Sequence, residues 1–150
     1  AGKQVDSMTL LQAAVSQLCF APTIKELDDA PPGHYCKAPK CVKGAISVTF
    51  TTNDKALVLA YAVASQIAGQ AGELPGRRML TNYELYAALG ANGIIAVPDV
   101  PRHTLGKRGA VYALRPGLNA VDANAVIQSH SDVRREEVAW LIWAMFERGP

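Results

Sequence analysis

The apolar positions of this chain change period several times. Over residues 6–20, DSMTLLQAAVSQLCF, Met8, Leu11, Val15, Leu18 and Cys19 recur at helical spacing and Pro22 closes the run, which predicts a helix. Residues 28–44 carry Pro31, Pro32, Gly33 and Pro39 ahead of Gly44 and predict an ordered loop or a linker. AISVTFT (45–51) alternates and is rich in β-branched residues, the pattern of a strand. TTND (51–54) then offers an N-cap for a long helix to about Gly69, with Asp54 in its first turn.

After the loop GQAGELPGRR, Thr81 and Glu84 form a capping box for a short helix that Gly90 and Gly93 stop, with Leu85 and Leu89 on one face. IIAVP (94–98) and AVYAL (110–114) predict two short strands joined as a hairpin. VDANAVIQSH (121–130) predicts a short helix, and Asp132 to Arg148 a final one. No internal repeat and no low-complexity tract interrupts this order. It predicts a single α+β domain over 1–150, mostly helical, with a short β-hairpin and one additional strand. An N-terminal helix and a Pro/Cys-rich loop occupy 1–44, and the C-terminal helices occupy 118–150.

Composition narrows the class. At 150 residues, 49% hydrophobic and 19% charged, the chain has the make-up of one globular domain and is too apolar for disorder. Its longest apolar run, Ala56 to Ala64, falls short of the about 20 residues a membrane span needs, so no membrane partner is expected. The first fifteen residues hold a single Lys and no cleavage pattern, and do not read as a signal peptide. Three cysteines, Cys19, Cys36 and Cys41, argue against a secreted disulfide framework, so an intracellular, cytoplasmic location is expected.

Charge is segregated. Between Arg77 and Gly117 lie six basic residues (Arg77, Arg78, Arg102, Lys107, Arg108, Arg115) and two acidic ones (Glu84, Asp99), a local +4 in a chain of net charge +2. From the short helix through GANGII, the basic loop and GKRGAVYALRPG, this stretch resembles the end of winged-helix nucleic-acid-binding domains. The resemblance implies a winged-helix-like unit at 53–117 and non-enzymatic binding of DNA or RNA as an oligomer. It implies phosphate contacts from Arg77, Arg78, Arg102, His103, Lys107, Arg108 and Arg115, with Asn82, Tyr83 and Tyr86 toward the groove. The helix itself offers no Arg, Lys or Gln to read bases.

Other chemistry is sparsely signalled. His34, Cys36 and Cys41 in GHYCKAPKC have the donor types of a zinc site but not its paired spacing; free thiols, or a Cys36–Cys41 disulfide in an oxidising compartment, are the preferred reading, and no metal or cofactor is expected. There is no G-x-S-x-G elbow, Walker loop or H-E-x-x-H, and nothing pairs His34, His103 or His130 with a thiol, so no catalytic residue is assigned. Two alternatives accompany nucleic-acid binding: a self-assembling viral or phage coat or nucleocapsid subunit, and a small toxin-like enzyme using Arg102, His103 and Tyr112. In the last helix Val138, Leu141, Ile142 and Met145 make one apolar stripe while Trp140, Trp143 and Phe146 fall outside it, which predicts self-association through Trp140, Leu141, Trp143, Met145 and Phe146.

Overall fold

The computed structural model describes residues 4–23, 31–61 and 87–147. Among these residues, β1 (Met8–Leu10), β2 (Ala45–Phe50), β3 (Arg102–Thr104) and β4 (Gly117–Asp122) form one wholly parallel sheet in the order β1-β2-β4-β3. Met8 stands opposite Ile46, while Phe50 and Thr104 both stand opposite Asp122. A parallel sheet is stable when both faces are covered, and β2 is accordingly buried from Ile46 through Phe50. One core joins Val121, Ile127, Val138, Leu141 and Tyr112; a second joins Cys19, Phe20, Ile46, Val48, Leu89 and Ile94. Successive side chains alternate across a strand, and Val121 pairs with Thr49 rather than with Val48, so the two cores lie on opposite faces.

The long helix expected to Gly69 is described only as far as Tyr61, and the Thr81–Glu84 capping box of the short helix expected after it lies outside the described residues. A π-helical segment spans Ala56–Tyr61, α1 spans Leu89–Asn92 and α2 spans Glu136–Glu147; 3₁₀ turns cover Ala38–Cys41 and His130–Arg134. Among the described residues no helix is long and apolar enough to cross a membrane.

The expectation of a mostly helical α+β chain is therefore corrected to a small α/β fold with a parallel sheet. Residues 6–20 do not form a helix. Met8–Leu10 joins β2, and the following residues bond across the chain, with Ala13 and Val15 carbonyls accepting from the Gly90 and Leu89 N–H groups at 3.0 and 2.7 Å. Nonlocal backbone bonding has overridden the local apolar period. The expected hairpin does not form either. Residues 94–98 and 110–114 lie outside the sheet, and the strand between them, β3, runs parallel to β4. The winged-helix-like architecture falls with it, because a wing needs an antiparallel pair. Within 121–130, Val121 and Asp122 close a strand and turns follow.

The final helix is present from Glu136, but its faces differ from the expectation. Val138, Leu141, Ala144 and Met145 are buried against the sheet, so Leu141 and Met145 are not on offer to another chain. The Met145 sulfur accepts hydrogen bonds from the Thr9 and Ser47 hydroxyls, both at 3.0 Å. Trp140 is half-buried and its Nε1 donates to the Ala110 carbonyl at 2.9 Å. Of the five residues expected at a contact between subunits, Trp143 and Phe146 are the exposed ones.

Candidate active site

The C-terminal ends of β2 and β4 are neighbours, and the loops that leave them meet. β2 runs into Thr51, Thr52, Asn53 and Asp54, where the helical segment begins. Asp54 is the residue that caps it: Oδ1 accepts from the Ala56 and Leu57 N–H groups at 3.1 and 3.4 Å. Its other oxygen, Oδ2, accepts from Nδ1 of His130 at 2.7 Å across 76 residues of sequence. The Asp54 side chain is 0% exposed, whereas that of His130 is 66% exposed. In the neutral ring, a carboxylate facing Nδ1 holds the proton there and leaves the lone pair on Nε2. Nε2 has no hydrogen-bond partner among the described residues.

His130 sits on a loop that is itself tied down. Ser129 and Asp132 form a reciprocal capping box for the His130–Arg134 turn. Asp132 Oδ2 accepts from the Gln128 and Ser129 N–H groups, both at 2.9 Å, and Oδ1 accepts from Arg135 Nε at 3.1 Å. The Gln128 N–H, and after it the Arg135 side chain, hold the Asp132 carboxyl below its ordinary value of 3.8. A carboxyl depressed in the folded state adds stability that is complete above its unfolded value and is lost as pH falls through the folded one. The amide signals of Gln128 and Ser129 are therefore expected to shift on acidification with a midpoint below pH 3.8, in an NMR titration.

The residues expected to touch nucleic acid are placed apart from this pair. Arg102 lies in β3 with its guanidinium 5.4 Å from the Phe50 ring centroid. His103 Nε2 and Asn119 Oδ1 are 3.3 Å apart, and Tyr112 is buried with its hydroxyl accepting from the Gly106 N–H at 3.0 Å. Arg102, His103 and Tyr112 thus engage different partners. Lys107, Arg108 and Arg115 are exposed, with no ion pair among the described residues. Arg77, Arg78, Asn82, Tyr83 and Tyr86 lie outside the described residues. Cys19, Cys36 and Cys41 are free thiols; burial pushes Cys19 up to about 11, offset in part by a backbone hydrogen bond. Among the described residues no group of three or more His, Cys, Asp or Glu is placed to hold a metal ion.

Sequence reasoning missed the Asp54–His130 pair. The available signal was positional: an acid directly after a β-branched strand, and a histidine inside the Ser-x-x-Asp capping box of SHSD. Reading 121–130 as a helix hid it. Comparisons with protein-family models, with curated proteins and with solved structures found no match.

Proposed function

We propose that this chain carries the acid and the base of a hydrolytic or acyl-transfer site. Asp54 orients His130, and His130 Nε2 takes the proton of an attacking hydroxyl, thiol or water, later returning it to the leaving group. The observation that carries the reading is the 2.7 Å bond from a fully buried carboxylate to a histidine whose ring stays open to solvent. The exposed second nitrogen is open to a substrate from solvent. One general rule supports the placement: open parallel sheets bind ligands outside the carboxyl ends of their strands. The reading assigns the base and its orienting acid, and it differs from the expectation of a non-enzymatic protein. Contact with phosphates through the exposed cations Arg102, Lys107 and Arg108 is the second reading, favoured by their lack of ion-pair partners among the described residues.

The test is hydrolysis of p-nitrophenyl acetate and butyrate by the wild type and by His130→Gln. Removal of a general base is expected to lower the rate by about 10²–10⁴-fold. Equal rates in the two proteins, with both folded by circular dichroism, would sink the proposal.

A further inference from the structure

We infer that Asn124 is the positioning residue of the Asp54–His130 pair, an inference that rests on the acid–base reading above. Asp54 and His130 belong to separate loops that meet at Asn124 and at the Ile127 carbonyl, which accepts from the Thr51 hydroxyl at 3.2 Å and from Asn53 Nδ2 at 3.0 Å; of these contacts Asn124 adds those of its own side chain. Its Oδ1 accepts from the Thr51 hydroxyl at 3.0 Å, from the Thr52 N–H at 2.9 Å and from the Thr52 hydroxyl at 3.0 Å. Its backbone carbonyl accepts from Asn53 Nδ2 at 2.9 Å and from Gln128 Nε2 at 2.7 Å. The loop that ends in Asp54 is thus held at three successive residues, and the loop that leads to His130 is held at Gln128.

The polarity of the Asn124 amide is determined by its neighbours. The Thr52 N–H can only donate, so the oxygen must face it. On the other side Asn124 Nδ2 donates to Asp122 Oδ1 at 2.7 Å, an atom that also accepts the Asn124 backbone N–H at 2.9 Å. An amide meets both demands at once; a carboxylate of the same shape does not, because it would set a second negative oxygen against Asp122. Asp122 is the last residue of β4 and pairs with Phe50, so the amide is anchored on the sheet itself. Positional error at the sheet edge is in this way kept out of a bond that must hold Nδ1 within reach of Oδ2.

The experiment reads the His130 ring by ¹⁵N NMR, which distinguishes the two neutral tautomers, in the wild type and in Asn124→Asp. The wild type is expected to hold one tautomer, protonated on Nδ1, with a slowly exchanging Nδ1–H. Asn124→Asp is expected to show averaged tautomers and no Nδ1–H signal. The Asn119 side-chain amide, bonded at the start of β4 to the Arg115 and Gly117 carbonyls, reports an intact sheet in the same samples. Should Asn124→Asp fail to fold, Asn124→Ser shortens the side chain without adding charge and is expected to give the same loss. A single Nδ1–H tautomer retained in a folded Asn124 variant overturns the inference about Asn124. Mixed tautomers already in the wild type overturn the acid–base reading itself, and the two failures are told apart because only the first needs a variant.

Discussion

Asp54→Asn is expected to lower ester hydrolysis by about 10⁴-fold, the size of effect found when the acid of a catalytic triad becomes its amide, while the protein stays folded. The side chain keeps its shape, so its oxygen can still cap the helical segment at Ala56 and Leu57. What changes is the group facing His130. An amide NH₂ at the Oδ2 position turns Nδ1 into an acceptor and moves the ring proton to Nε2, where the base is needed. Because the cap survives, the melting temperature should fall by about 4 °C or less, the shift that about 1 kcal/mol gives in a chain of this size. Asp54→Ala removes the cap as well and should cost about 1 kcal/mol more. Steady-state rates with thermal denaturation of the same samples check both statements. An amide variant as fast as the wild type would show that Asp54 is a cap and nothing else.

The second large effect is on stability and lies at Gly90. Its N–H donates to the Ala13 carbonyl and its carbonyl accepts from the Thr51 N–H, both at 3.0 Å, so two chain segments pass it in contact. A Cβ there would stand 2.4 Å from the Gln12 carbonyl carbon and 2.6 Å from the Ala13 nitrogen. These are backbone atoms that cannot rotate away, so Gly90→Ala is expected to cost about 3 kcal/mol or more, at or beyond the upper end of ordinary overpacking. Urea denaturation measures it as a lowered midpoint with an unchanged slope. A variant as stable as the wild type would mean that the passage of residues 12–13 over α1 is looser than described.

The parts of this fold that could be read from the sequence are those whose local pattern agrees with their surroundings. Ala45–Phe50 is dense in β-branched and aromatic residues and is a strand by any period. Glu136–Glu147 has an acidic first turn and an apolar stripe, and is a helix. The others depend on partners distant in sequence. Met8–Leu10 has only three residues in the sheet, and its helical spacing is outweighed by bonding to Ile46–Val48. Gly117–Asp122 contains Gly and Asn, both poor strand formers, yet Asn119 is 0% exposed because its amide is satisfied by Arg115, Gly117 and His103. With that strand unread, the loop beyond it looked like a helix and His130 looked like its end. The positive charge around residues 102–115 was plain to see and drew the functional reading, whereas a single Asp and a single His far apart in sequence carry no joint signal until the sheet places them together.

That dependence makes the Asp54–His130 pair a gauge of assembly. β2 and β4 meet in one register, Phe50 beside Asp122, and the loops beyond them inherit it. A slip of one residue turns every side chain of a strand to the opposite face, and would carry His130 away from Asp54 even with every hydrogen bond of the ladder re-formed. On the acid–base reading proposed above, turnover counts correctly registered molecules, where circular dichroism counts all that have strands, and the ratio of the two would measure misalignment during refolding that no spectroscopic probe of secondary structure can see.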